Sequence, residues 1–523
     1  MKTGEIMTKL CRRLGTIVGV ACVLPLCAED KPAAPKQPAN VQVYAPPMLL
    51  QLNVDKAVEM ALANNLDIAI QRFQPQIAAE AIEFQRGAYD PFLSLSIEKE
   101  ISDRPNLFAD RVFPIVHSDQ TRFSGSLTGN TPIGLEYSFT ATMTRIFQAG
   151  DKNPDYLGFA GIEVRQHLLR DFGVLPNNAQ LYIAQKDKLR SEQDFASIVM
   201  TIVADTKKAF YELQFAIHQV EIQEKALLLA QSLLSDNRKK LAAGVLSHLD
   251  VVQAESAVAK AESDLLLAHQ IRHTQENQFK ALITRDIYGW RQTRIEPLNG
   301  NEAAPILLDT EESMRQGLAN RPEYLSAKYL VEREKINVQF QWNQGLPTLD
   351  LIASYGANSD NVGLSRSIED IIHGDTPTKS VSVEFSTPIP NRQGEANYRT
   401  ARLNVASALE QFKKAEQVVL IEVDNSLRTV ESNYKRVQAT DNARRYAEEA
   451  LRAEQTKFDA GTSTNFLVLQ AQQNLTQARG EHYRAIADYN KSITDLYRSE
   501  GTILTRHNIT LQPAKAKAGL LKK

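Results

Sequence analysis

Two histidines four residues apart, His269 and His273, stand on one face of a predicted helix, the spacing with which imidazoles begin a zinc site. A zinc site needs further ligands, and the nine histidines are scattered, so a solvated helix surface is the plainer reading. The chain has no Gly-x-Gly-x-x-Gly, no P-loop, no His-Glu-x-x-His and no Gly-x-Ser-x-Gly. No cofactor, no metal and no enzymatic activity are expected. What repeats instead is a pair of glycine turns. Leu241-Ala242-Ala243-Gly244-Val245-Leu246-Ser247-His248-Leu249-Asp250 and Phe458-Asp459-Ala460-Gly461-Thr462-Ser463-Thr464-Asn465-Phe466-Leu467 follow one plan 217 residues apart, which marks an internal duplication. Gly244 and Gly461 read locally as left-handed turn residues, and Asp250 as a charge near the start of the returning helix.

The elements around these turns must be long. The composition is 43% hydrophobic but only 7% aromatic, with 23% charged residues, which favours extended helices over several ordinary domains. A net charge of -2 argues against a nucleic-acid partner. Lys2, Lys9, Arg12 and Arg13, the apolar run Leu14 to Leu26 and then Cys27-Ala28 have the layout of a secretory signal peptide over residues 1–28. Leu26 makes a poor lipoprotein box, so lipidation of Cys27 is the lesser reading. All three cysteines lie in this leader, and the mature chain is expected to hold no disulfide. No later segment has the roughly 18 consecutive apolar residues of a membrane helix, so a membrane would have to be spanned by strands.

Residues 29–51 read as a Pro/Ala-rich linker. The first repeat, 52–290, opens with helical spacing from Val54 to about Arg86, with Asn53 as N-cap, and the second, 310–504, with the same pattern from Thr310 to Asn343. Leu62-Ala63-Asn64 matches Leu318-Ala319-Asn320, and Pro91 matches Pro347, both 256 residues on. After each proline the period becomes two, as in Leu93, Leu95, Ile97 and Leu349, Leu351, Ala353. The strongest alternation, Ile133 to Met143, falls in a surplus of 35 residues in the first repeat, read as a second hairpin over 120–148. Helical patterns then run unbroken from Gly173 to Gly244 and from Gly394 to Gly461. Val199, Val203, Thr206, Phe210, Leu213, Ile217 and Val220 form a coiled-coil seam in the first, and Val423, Leu427, Val430, Tyr434 and Val437 in the second. Residues 291–309 are a linker between the repeats, and 505–523 a Lys-rich, mobile C-terminal tail.

A helix of some 70 residues is about 105 Å long and needs partners of equal length. In each repeat a shorter helix before the strands and another after the glycine turn nearly sum to that length. They are expected to stack end to end as a second column. Strands with one apolar and one Ser/Thr-rich face at the end of such columns suit a membrane barrel. One chain supplies too few strands to close it, so several protomers must share it; two main hairpins each from three chains make twelve strands, and the surplus hairpin would raise this to eighteen if it joined.

On the duplicated Ala57-Val58-Glu59-Met60-Ala61-Leu62-Ala63-Asn64-Asn65 opening, Leu168-Leu169-Arg170-Asp171-Phe172-Gly173 ahead of the long helix, and both glycine turns, the chain resembles the TolC-type outer-membrane efflux proteins from Leu52 to about Leu504. The resemblance implies a mainly α fold with a shared 12-stranded trimeric β-barrel and an α-helical barrel of duplicated long-helix hairpins. It implies a homotrimer in the cell outer membrane, its barrel in lipid and its tunnel in the periplasm. A periplasmic adaptor and an inner-membrane transporter would hand over small molecules or proteins for export. In that family the glycine turns, here Gly244 and Gly461, form the periplasmic tip, and carboxylates near it ring the pore. Asp250 keeps the pattern, but Leu467 and Gln470 stand where acidic residues would follow Gly461, and Phe458 takes a tyrosine's place. The candidate constriction is therefore Asp250, Gln253, Phe458, Leu467 and Gln470, closed by apolar and neutral contacts; the bland alternative makes Phe458 and Leu467 core residues of the hairpin. The reading from a different class is an exported periplasmic coiled-coil scaffold with a soluble β domain.

Overall fold

The computed structural model describes residues 49–105, 115–148, 153–298 and 303–510. The expected leader, most of the first linker, Cys27 and the tail beyond residue 510 lie outside them. In chain order the elements are β1 (Leu49–Leu52), α1 (Val54–Asn64), α2 (Leu66–Gln71), α3 (Phe73–Arg86), β2 (Phe92–Pro105), β3 (Ile115–Asn130), β4 (Leu135–Gln148), β5 (Asp155–His167), α4 (Val174–Ala242), α5 (His248–Ile283) and β6 (Arg294–Pro297). The second repeat follows as α6 (Thr310–Asn320), α7 (Pro322–Gln344), β7 (Thr348–Asn361), α8 (Leu364–His373), β8 (Thr376–Ser386), α9 (Arg392–Asp459), α10 (Asn465–Ser499) and α11 (Ile503–Arg506).

The opening helices break where capping chemistry outcompetes helical continuity. Asn53 Oδ1 accepts from the Lys56 amide at 2.8 Å and starts α1. Asn65 then ends it, its Oδ1 taking the Asp67 and Ile68 amides at 2.8 and 3.1 Å to start α2. The duplicated Leu-Ala-Asn triplets mark matching ends, since α1 stops at Asn64 and α6 at Asn320. At these breaks the short helices stack. Asn64 and Asn65 donate to the Ile283 and Leu282 carbonyls at the end of α5, both at 3.2 Å. In the second repeat Arg321 Nη1 reaches the Ser499 carbonyl at the end of α10 at 3.4 Å. Both segments read as linkers also hold a strand: β1 pairs in parallel with β6, Leu49 opposite Arg294 and Leu52 opposite Pro297.

The long helices α4 and α9, 69 and 68 residues, bury the seams that their spacing predicts. Val199, Val203, Phe210 and Leu213 are fully buried, as are Val423 and Val430. Each such side chain contributes about 1.5–3 kcal/mol by leaving water. Charges zip the two repeats together outside the seams. Glu212 on α4 takes Arg484 Nη1 at 2.9 Å and Lys491 Nζ at 2.5 Å from α10. Asp488 beside them accepts from Arg436 of α9 at 3.1 Å and from Lys491 at 3.0 Å. Burial works to raise the Asp488 pKa, but Lys491, Arg484 and Arg436 outweigh it and hold the carboxyl below its ordinary value.

Beyond α10 the chain packs Ile503 and Leu504 against Val58, Val199 and Val203. The predicted tail therefore begins later than Thr505, which lies in α11. There His507 Nε2 sits 3.2 Å from Lys207 Nζ, and its Nδ1 3.2 Å from Asp55. Burial and then Lys207 push the His507 pKa down against the pull of Asp55. An unfolded histidine takes up its proton near pH 6.5, so the unfolded chain gains it first and stability declines as pH falls through about 6.5 toward the depressed native value. Thermal unfolding followed from pH 8 to pH 5 is expected to show this acid loss, and His507→Gln is expected to flatten it; parallel curves for the two proteins would refute the assignment.

The other six strands form one antiparallel sheet in the order β2-β3-β4-β5-β7-β8. Its count corrects an expectation: the chain contributes six strands, not four, because the surplus hairpin is β3 and β4, paired between β2 and β5. The β3–β4 turn is fastened at the helical end of the sheet, with Gly173 N donating to Ile133 O at 3.3 Å and Asn178 Nδ2 to Pro132 O at 3.0 Å. Residues opposite one another in register share a face. One face carries Leu95, Ile97, Phe123, Phe139, Ile162 and Val383, and the other Ser96, Ser124, Thr142, Glu163, Ser354 and Ser380. The polar face ends, near the helices, in a charged knot. Arg165 reaches Asp350 at 3.1 Å and Glu384 at 3.3 Å, and His167 Nδ1 lies 2.7 Å from Asp350.

Candidate functional site

The two glycine turns close the long helices in the same way. Gly244 and Gly461 both have φ +75°, the left-handed value that glycine adopts at little cost. At the first turn the Gly244 and Val245 amides donate to the Leu241 and Lys240 carbonyls, both at 2.9 Å. At the second, Gly461 and Thr462 donate to Phe458 at 3.2 Å and Lys457 at 2.9 Å. This is the double bond pattern that satisfies the last free carbonyls of a helix. Each repeat then re-enters a helix four residues later, at His248 and Asn465, capped by Ser247 in one copy and Thr464 in the other.

Here the copies part. Asp250 Oδ2 accepts from the Ser247 amide at 3.1 Å and from its hydroxyl at 2.7 Å, while Ser247 Oγ accepts the Asp250 amide, a reciprocal capping box. The carboxylate has a local partner that accounts for its place. Leu467 occupies the corresponding position after Thr464 and offers only its amide, at 3.4 Å from Thr464 Oγ1.

The turns are tied together through α4. Asn237, fully buried, donates from Nδ2 to Asn465 Oδ1 at 2.8 Å, and Asn465 Nδ2 donates to the Asp250 carbonyl at 3.1 Å. Three residues on from Asn237, Lys240 pairs with Asp459 at 3.3 Å and places its ammonium 3.9 Å from the centre of the Phe458 ring. Phe458 packs with Leu233, Leu451, Val468 and Leu475, so within one chain it is a core residue. Leu467 is 43% exposed, Gln470 is exposed and Gln253 half-buried, on the sides of α10 and α5 that this chain leaves uncovered. Thus Asp250 and Phe458 join the packed tip, whereas Leu467 and Gln470 face outward from it.

Sequence reasoning missed Asn237, Lys240 and Asn465. The available signal was an asparagine on the buried side of a seam, a place that helical spacing reserves for apolar residues. His269 and His273 line a groove with Arg272 and Arg294, and among the described residues no group of three or more His, Cys, Asp or Glu side chains is placed to hold a metal ion.

The family described as outer membrane efflux protein matches residues 160–285 and 314–502. The match leaves out β2, β3 and β4. The probable efflux pump outer membrane protein TtgC of Pseudomonas putida is 22% identical over 299 residues, 56% of this chain and 58% of the relative. The outer membrane protein TolC of Escherichia coli is 22% identical over 327 residues, 61% of this chain and 64% of the relative. The matched stretches span less than two thirds of either relative's length. Among solved structures, the Campylobacter jejuni CmeC outer membrane channel superposes with a TM-score of 0.66 at 15% identity, covering 86% of this chain and 85% of that one. CusC superposes at 0.65 and 17% identity, covering 91% and 99%.

Proposed function

The chain belongs to the outer membrane efflux protein family, and from that premise we propose that it is a homotrimeric conduit for export across the outer membrane, loaded by a periplasmic adaptor and an inner-membrane transporter. One observation supports this most. The six-stranded sheet is apolar on one face and polar on the other, and both its edges, β2 and β8, are unpaired among the described residues of the single chain. Such edges are not tolerated in lipid, so β8 of one copy pairs with β2 of the next. Three copies make eighteen strands, a number that leaves a water-filled interior lined by the Ser/Thr face. The helices continue this lumen into the periplasm and the glycine turns form its far end. No chemistry is asked of the chain; the work is done by the transporter.

Fractionation tests this reading. The protein is expected in detergent extracts of outer membranes as a trimer that forms pores in planar bilayers, and a soluble periplasmic monomer would overturn it. We further propose that Leu467 and Gln470 from the three copies meet at the axis, because they are the candidate residues left exposed at the tip. Leu467→Asp places three like charges around the opening, where they repel and draw in water. Single-channel conductance is expected to rise several-fold, and an unchanged conductance would remove Leu467 from the constriction.

A further inference from the structure

The connection from β7 to β8 does not turn directly. It carries α8, a ten-residue helix folded back over the apolar face of the sheet at the end away from the long helices. Ser367, fully buried, donates from Oγ to the Tyr156 carbonyl at 3.1 Å. Asp370 accepts from Ser359 Oγ at 3.1 Å and Asn361 Nδ2 at 3.2 Å. Ile371 lies on Gly158, where a Cβ would stand 2.5 Å from Ile371 Cδ1 and 3.0 Å from Met143 Cε. These contacts fix one flank of the helix to β5 and β7.

The adjoining flank is apolar and uncovered. Leu364, Ile368 and Ile372 recur every fourth residue, one stripe of a helix, and are 46%, 44% and 76% exposed. Arg366, Glu369 and His373 fall on the opposite arc at 100° per residue. Ile368 and Ile372 overlook a cleft of about 570 Å³ whose floor is formed by Leu95, Ile97, Phe123 and Met143. Gly125 and Ala141 deepen it between them. All six floor residues lie on the sheet face read above as facing lipid. Along the same face Lys99 follows Ile97 and Arg145 follows Met143, each two residues nearer the outer margin. Asp119, paired with Lys99 at 3.4 Å, offsets one of these charges. Arg145 has Thr121 and Tyr156, not a carboxylate, opposite it in register, and Asp103 lies farther out on this face beside His117.

We propose that this cleft holds an acyl chain of an anionic lipid of the outer leaflet, with α8 as its wall and the Lys99 and Arg145 margin against the lipid phosphate. The proposal rests on the membrane-barrel reading. An occupant supplied by the bilayer follows from the cleft's continuity with the lipid-facing surface and from its position at the strand ends opposite the periplasmic helices. The size and apolar lining suit an alkyl chain, and the cationic side chains of the margin favour a net-anionic headgroup over a zwitterionic one.

The test uses the intact trimer, purified from outer membranes and titrated separately with lipid A and with phosphatidylethanolamine while native mass spectrometry counts bound lipids. Two variants alter the cleft without touching the conduit. Ile368→Ser with Ile372→Ser removes the exposed wall, and Gly125→Leu fills the floor, where an added Cβ would stand 3.2 Å from Leu95 Cδ2. The wild-type trimer is expected to hold up to one lipid A per chain, and both variants to bind it about tenfold more weakly while assembling and conducting as before. Equal lipid A binding by all three proteins, or no preference over phosphatidylethanolamine, would overturn the proposal while leaving the channel intact. A protein that is not an outer-membrane trimer would fail at extraction, which is the failure of the functional reading instead.

Discussion

Asn465→Ala is expected to open the tip: single-channel conductance rises severalfold, and cells carrying the variant become sensitive to large antibiotics that the outer membrane normally excludes. The substitution removes the acceptor for Asn237 Nδ2 and the donor to the Asp250 carbonyl in one step. Asn237 then remains fully buried with only a long 3.4 Å bond from its Nδ2 to the Asp250 carbonyl, and its Oδ1 has no partner even in the native chain. Leaving a buried polar group unsatisfied costs about 1–3 kcal/mol, and 1.4 kcal/mol is tenfold in an equilibrium. That cost falls on the closed arrangement alone, because parted helices return Asn237 to water. The time spent open should therefore grow by about an order of magnitude. Asn237→Leu with Asn465→Leu supplies apolar contact in place of the hydrogen bonds and is expected to restore closure. A single variant that conducts like the native channel would show that the asparagines shape the tip without holding it shut.

The second large effect is on stability. Glu276 and Lys280 lie one turn apart on α5 with Oε1 and Nζ 3.0 Å apart and side chains 7% and 2% exposed. Glu276 Oε1 also accepts the Ile295 amide at 3.1 Å, which ties α5 to β6. Glu276→Ala leaves an ammonium without its counter-charge beside Phe279, Ile283 and Ile295, and an amide without its acceptor. Breaking one side of a buried pair costs about 3–5 kcal/mol. Thermal unfolding of the purified protein should shift down by several degrees. Glu276→Met combined with Lys280→Met is expected to recover much of the loss, because the pair costs more to bury than to replace. A double variant no more stable than the single one would locate the damage in the lost Ile295 hydrogen bond.

How far the sequence reaches can be judged residue by residue. The seams were legible because Val199, Val203, Phe210 and Leu213 obey a period that only a helix packed along its length requires. The duplication exposed matching ends, as Asn64 and Asn320 show, and the glycine turns carried their own geometry. Pairing was less legible. Alternation in β4 fixes which face each residue takes but not which strand lies beside it, so the 120–148 hairpin could be recognised and not placed. The bond from Ile133 O to Gly173 N that seats it joins segments forty residues apart through backbone atoms, which side-chain pattern does not report. Helix α8 escaped because ten residues between two strands give fewer than three turns of periodicity. At the tip, the capping role of Asp250 was available from Ser247 three residues before it, whereas the Asn237–Asn465 contact spans both repeats and becomes visible only when they are folded together.

The six strands also bear on how the conduit resists flow. In the proposed trimer each chain contributes four helical columns about 10 Å apart, roughly 40 Å of circumference. Six strands about 4.8 Å apart, tilted at about 40°, contribute roughly 38 Å, whereas four would give about 25 Å. The membrane section is then as wide as the helical section, and the two act as a single low resistance in series with the tip. With Leu467 at the constriction as proposed, nearly the whole driving difference for a moving solute would fall across the last turn or two around it, and selectivity measured on the whole channel would report on those few residues.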